Sequence, residues 1–352
     1  MSKLGSKVKI IMAAVSMMAL LAACQQGGGD KTTQQSSGSE AMKSDAKADM
    51  KSDAKDNSKN SDMKSDKKSD KDKKTVVVTT SFLQDMTEQI AGDTVNIELI
   101  IPAGEDPHLY TAKPEDNKKL QSADLVLYHG LHFEGKMVEA LEKLGTAVSK
   151  NFPKDKIGQM DEDGEMVVDP HFWFDIDLYK LAVEEACDAL SGLNPEQKEM
   201  YEKNRDSYIK ELTELDSYIK ENIEKIPADR RYLITPHDAF NYFSRAYSVT
   251  VKAPQGVSTE SEVSNQDIQE TIDFIVEHKI KAVFAESTTD PARMEKLREG
   301  AAAKGQDVKI VGKEGEQDEQ LFSDSLAPKG QPGDTYIDMY KHNVDLIVKY
   351  LK

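Results

Sequence analysis

From residue 75 onward the chain alternates between short β-branched runs and stretches with helical spacing. Val76-Val77-Val78-Thr79-Thr80 predicts a buried strand, and Leu83, Met86 and Ile90 then share one face of a helix near 82–91. Val95 to Ile101 and Ala123 to Tyr128 predict two more strands, the second preceded by a short helix opened by Pro114. After residue 228 the rhythm resumes, with strands at 232–235, 248–251, 282–285 and 308–311 and helices between them. This order predicts an α/β fold in two lobes, each a mostly parallel sheet flanked by helices. The stretch is also large for one core, which again argues for two lobes.

Between the lobes the pattern changes. Pro195 to Ile226 holds no glycine and no internal proline, and apolar residues recur at Tyr208, Leu212, Leu215, Ile219 and Ile226. The spacing predicts one long rigid helix joining the lobes, roughly 45 Å at 1.5 Å per residue. A coiled-coil dimer segment is the alternative. The seam is short and interrupted at Asn222, which favours a single helix packed along both lobes of a monomer.

The N-terminal region reads differently. Lys3, Lys7 and Lys9 precede an apolar run from Ile10 to Ala23, too short for a comfortable span but suited to a secretory signal peptide. It closes on Leu21-Ala22-Ala23-Cys24, which resembles a bacterial lipobox and implies a lipid anchor on Cys24. Residues 25–74 repeat Lys-Ser-Asp units, contain no aromatic or β-branched aliphatic residue, and read as a disordered spacer. The expected organisation is signal peptide 1–24, spacer 25–74, N-terminal lobe 75–193, linking helix 194–227 and C-terminal lobe 228–352. The protein is thus expected to be extracytoplasmic and tethered to the cell membrane. Cys187, the other cysteine, lies on a helical face with Val183 and reads as a buried, inert thiol.

Charge narrows the partners. Residues 75–352 carry 31 basic and 53 acidic side chains, a net of −22, which argues against nucleic acid and anionic headgroups.

Histidine is scarce, seven residues in 352, yet Asp-Pro-His occurs twice, at Asp106-Pro107-His108 and Asp169-Pro170-His171. Open α/β sheets bind ligands beyond the carboxyl ends of their strands. His108, His171, His237 and Asp324 all fall in such positions, two from each lobe. Three imidazoles with a carboxylate suit a divalent ion such as Zn²⁺ or Mn²⁺. Proline stiffens the two loops, and each preceding aspartate is placed to bond a loop amide or the far ring nitrogen. Glu286 follows a strand near the cleft and is a candidate to support a ligand from behind. His129 and His132 read as loop structure near the site, His278 as a helix end and His342 as a surface residue. Trp173, the only tryptophan, is a candidate reporter of metal binding.

Several segments together resemble the metal-specific (manganese/zinc) solute-binding lipoproteins of bacterial ABC importers. They are Gly104 to His108 with Lys113-Pro114-Glu115-Asp116, Tyr128 to Glu134, Asp169 to Asp175, His237 to Phe243, Glu286 to Pro291, and Ser323 to Leu326. The resemblance runs from about residue 75 to the C-terminus. It implies that four ligands, falling on His108, His171, His237 and Asp324, hold the ion between lobes joined by a rigid helix. It implies capture of the metal and its delivery to an ABC permease with its ATPase. Many zinc-binding relatives carry a histidine-rich acidic loop after the first ligand, and this chain lacks one, which favours Mn²⁺. Bare coordination chemistry favours Zn²⁺. Two other classes are weighed. A metal-dependent hydrolase usually keeps an open coordination position, against four protein ligands here, so the chain is read as no enzyme. A surface adhesin finds no positive sign in the sequence.

Overall fold

A computed structural model of the protein describes residues 73–162 and 164–352. The signal peptide, Cys24 and nearly all of the spacer lie outside the described residues.

The first half is built on a parallel sheet. β1 (Lys74–Val78) leads through α1 (Ser81–Ala91) to β2 (Val95–Leu99), and α2 (Pro114–Ser122) leads to β3 (Leu125–Tyr128). After α3 (Val138–Leu144) comes the short β4 (Thr146–Ala147), giving the strand order β2-β1-β3-β4, all parallel. Val76, Val77 and Val78 are all fully buried because β1 is central and covered on both faces. Strand alternation sends Val76 and Val78 into one cluster and Val77 into another. Strand β1 ends before Thr79 because Thr80 caps α1, its side chain accepting from Leu83 N.

A hairpin follows, with β5 (Gln159–Glu162) antiparallel to β6 (Glu165–Val168). The helix α4 (Ile176–Leu193) is capped by Asp175, which accepts from the amides of Asp177 and Leu178. Then comes the long helix, α5 (Lys198–Ile223), preceded by a 3-10 turn over Pro195–Gln197. Its continuous α-helical part is 26 residues, about 39 Å at 1.5 Å per residue, shorter than the sequence pattern suggests at both ends. Tyr201, Tyr208, Leu212, Leu215, Ile219 and Ile223 form its buried stripe. It packs against α1 and α4 from the first half and against the C-terminal α9 (Tyr336–Leu351).

The second half runs β7 (Tyr232–Ile234), α6 (Asn241–Tyr247), β8 (Thr250–Lys252), α7 (Asn265–Glu277), β9 (Ala282–Phe284), α8 (Ala292–Ala303), β10 (Lys309–Val311) and α9. β7 pairs in parallel with β8, and β9 with β10. Alternation works here too. Leu233, Phe284 and Val311 face the large core shared with β1 and α5, while Ile234, Val283 and Ile310 face a second cluster under α7 and α8. The chain is therefore an α/β protein of parallel sheets flanked by helices, with one long helix, as the pattern implies. Cys187 is free and buried in the large core. Among the described residues no helix is long and apolar enough to cross a membrane.

Candidate metal centre

The structure brings His108, His171, His237 and Asp324 together. One potential ligand atom from each lies within 4.8 Å of all the others, and all four residues are buried. The four come from widely separated segments. His108 sits in the loop after β2, and His171 follows the β5–β6 hairpin rather than a strand of the parallel sheet. His237 extends β7 through an isolated parallel bridge to Gln255. Asp324 follows Leu321, which bridges to Glu286 just beyond β9.

Each histidine is aimed by its neighbours. Asp169 Oδ1 accepts from both the amide of His171, at 3.0 Å, and its Nδ1, at 2.8 Å. Glu286 Oε2 lies 2.5 Å from His237 Nδ1 and accepts from Ser323 Oγ at 2.9 Å. Both bonds hold the proton on Nδ1 and leave Nε2 facing the centre. Asp106 Oδ1 accepts from the amide of His108 at 2.9 Å, and the ring of Phe133 packs edge-on against the imidazole. The Asp-Pro-His aspartates therefore form turns onto their own histidines, as the sequence suggests, and Asp169 reaches the ring as well.

The inner atoms point at one another and are mostly left unsatisfied, the one hydrogen bond among them joining His108 Nε2 and His171 Nε2 at 3.4 Å. Asp324 Oδ1 lies 3.3 Å from His171 Nε2 and Oδ2 lies 3.2 Å from His237 Nε2. Yet neither oxygen of Asp324, nor Nε2 of His237, has a hydrogen bond of acceptable geometry. Buried polar atoms left this way are costly unless another group meets them. Three imidazole nitrogens and a carboxylate converging on one point suit a divalent first-row ion.

Electrostatics agree. Asp169, Glu286 and Asp324 are buried carboxylates around three imidazoles, so the centre calls for positive charge. Burial disfavours charge on His171, but the hydrogen bond to Asp169 and the neighbouring Asp324 carboxylate outweigh it and raise its pKa to about 9. Burial works the same way on His237, where Glu286 and Asp324 hold the pKa well above its ordinary value. Burial would raise Asp324, yet His237 and His171 hold it well below the usual carboxylate range. For His108 burial, with the neighbouring imidazoles, outweighs the pull of Asp324 and pushes the pKa down to about 3. Protons or a metal ion can supply the missing charge.

The remaining histidines lie elsewhere. His129 is fully buried behind the centre, its Nε2 2.7 Å from Thr80 Oγ1 and its ring among Phe133, Phe172 and Trp173. His132 is exposed, and His278 caps α7. His342 is half-buried rather than a surface residue, donating from Nε2 to the carbonyl of Gln320. Trp173 lies against the centre, its ring 5.2 Å from that of His171 and its indole N–H donating to Ser323 O. Sequence reasoning assigned no role to Asn241 or Tyr242. Asn241 Nδ2 donates to Asp169 Oδ2 at 3.2 Å and the Tyr242 hydroxyl donates to Asp169 O at 2.9 Å, fixing the support of His171. An open groove of about 710 Å³ reaches the quartet at one member, His108.

Known proteins share this architecture. Residues 76–350 match the family model described as zinc-uptake complex component A, periplasmic. The chain is 41% identical over 282 residues to the manganese-binding lipoprotein MntA of Bacillus subtilis, covering 79% of this chain and 89% of that protein. It is 40% identical over 286 residues to the zinc-binding protein TroA of Treponema pallidum, covering 80% and 90%. Among solved structures, a TroA studied for its metal-binding specificity superposes with a TM-score of 0.78 at 60% identity, covering 80% of this chain and 100% of that one. The zinc-binding TroA of Treponema pallidum superposes with a TM-score of 0.74 at 39% identity, covering 79% and 99%.

Proposed function

Because this chain belongs to the zinc-uptake complex component A family, we propose that it captures Mn²⁺ or Zn²⁺ outside the cytoplasm and delivers it to an ABC importer. The observation that carries this reading is the buried quartet of His108, His171, His237 and Asp324, with its unsatisfied inner atoms. Those four residues are the ligands. Glu286 supports His237, and Asp169 supports His171. Four protein ligands close a tetrahedral shell and leave no position for a reacting water, which suits capture rather than catalysis. Residues 75–193 and 228–352 are the lobes, and 194–227 is the strut between them. A lipid on Cys24 holds the monomer at the membrane, where the permease and its ATPase receive the ion.

Between the two metals we favour Mn²⁺, since no histidine-rich insertion follows His108. The specific observation on the other side is the donor set, because three imidazoles bind Zn²⁺ more strongly than Mn²⁺ at equal geometry. Relatives named for each metal are about equally similar. The test is a competition titration of the metal-free full chain with Mn²⁺ and Zn²⁺. One tight site per chain, lost in His171→Ala and His237→Ala without loss of the fold, is the expected result. Unchanged stoichiometry in those variants would overturn the site.

A further inference from the structure

The two Asp-Pro-His aspartates share a second property. Each uses one oxygen on its own histidine and the other on a residue far along the chain. For Asp169 the distant partner is Asn241. For Asp106 it is Thr259, whose hydroxyl donates to Oδ2 at 2.6 Å while Oδ1 holds the amide of His108 at 2.9 Å. Thr259 lies in the loop between β8 and α7, which contributes none of the quartet.

That loop is well organised. Gln255, almost fully buried, donates from Nε2 to the carbonyls of Thr259, at 2.8 Å, and Ser261, at 2.6 Å. The same Gln255 bridges to His237, and Val257 N donates to Glu162 Oε1 at 2.7 Å. The loop is thus joined to His237 at one end and, through Thr259 and Asp106, to His108 at the other. Thr259 is only 5% exposed, so its bond to a carboxylate is charge-assisted and largely shielded from water.

His108 is where such a tether matters most. Carboxylates hold Nδ1 of His171 and of His237. Among the described residues no hydrogen bond holds Nδ1 of His108, so its backbone amide and the packing of Phe133 must aim it. It is also the member of the quartet that meets the open groove. We propose that Thr259 is a positioning residue for His108, acting through Asp106, and that this contact sets how long the metal is retained. The proposal rests on the reading that His108 binds the cargo ion.

The test uses the full chain loaded with Zn²⁺ alone or Mn²⁺ alone and chased with excess EDTA. Thr259→Val keeps the shape and removes the donor. Loss of a bond to a charged acceptor predicts release faster by roughly ten- to a hundredfold. Thr259→Ser keeps the hydroxyl and should restore slow release. Thr259→Ala supplies the same comparison if the valine variant does not fold. A wild-type release rate in the variant lacking the hydroxyl overturns the proposal, as does a serine variant that releases as fast as it does. Amide exchange in the metal-free protein gives an independent readout. The His108 amide should exchange faster without the hydroxyl and normally with serine, and equal exchange in all three proteins would overturn the coupling. Should the wild type bind no metal, the transport reading fails, while the exchange result still decides whether Thr259 holds the His108 loop.

Discussion

Replacing Glu286 separates the charge behind His237 from its hydrogen bonds. Glu286 and His237 are both fully buried, and Oε2 takes two donors, His237 Nδ1 at 2.5 Å and Ser323 Oγ at 2.9 Å. Oε1 has no hydrogen-bond partner. In Glu286→Gln, an amide oxygen standing at the Oε2 position keeps both bonds, and the loss is the negative charge. Hydrogen bonds to charged groups exceed neutral ones by about 1–1.5 kcal/mol, which corresponds to roughly tenfold weaker metal binding. Glu286→Ala removes the acceptor altogether, leaving the His237 ring free to rotate and the Ser323 hydroxyl with Thr288 alone. Its expected loss reaches about a hundredfold, the upper range for groups that support ligating histidines. The assay is competition against a chromophoric chelator, with thermal melts of the metal-free proteins to separate binding from folding. The expected affinity order is wild type, then Gln, then Ala. Equal affinities in all three, or a glutamine variant weaker than alanine, would refute the reasoning.

Glycine positions, Trp173 and Glu134 each offer a separate check. Gly135 has a φ of +44°, and a Cβ there would lie 2.3 Å from the carbonyl oxygen of His108, so Gly135→Ala should lower both melting temperature and metal affinity. Gly192→Ala, within helix α4 where a Cβ meets open space, should leave metal affinity unchanged and hold or raise the melting temperature. Trp173 emission should shift on adding Zn²⁺ to the wild type and stay constant in His171→Ala, because the indole lies against that imidazole. Glu134 is fully buried with its pKa pushed up to about 7, burial being the main cause. The folded state therefore holds the proton more tightly than the unfolded chain, and stability is lost as pH rises from about 4.5 to about 7, by up to roughly 1.4 kcal/mol per pH unit. Glu134→Gln does not titrate, so melts of the two proteins should move in favour of the variant across that window. A constant difference would contradict the assignment.

Much of the fold was legible because its strands are short, buried and strongly patterned. Val76 to Val78 could hardly be anything else, and the quartet followed from asking which histidines and carboxylates lie beyond strand ends. The β5 strand was not legible, since Gln159–Glu162 shows no apolar alternation and is held by pairing with β6. Helix α5 proved shorter than its pattern because Pro195–Gln197 winds as a 3-10 turn and the α-helix stops at Ile223. His342 looked like a surface residue because helical spacing does not reveal the carbonyl of Gln320 beside it. Supports built across the chain were the least visible. Asn241 lies 72 residues from Asp169 and Thr259 lies 153 from Asp106, and neither pair carries a local signature.

Three imidazoles and one carboxylate are proposed to hold the ion. X-ray absorption of the full chain loaded with one equivalent of Zn²⁺ tests that coordination most directly. Three imidazole scatterers at about 2.0–2.1 Å with one oxygen and no sulfur are expected, a shell that His171→Ala, which loses the tight site, no longer shows. Fewer imidazoles in the wild type, or an unchanged spectrum in that variant, would contradict it.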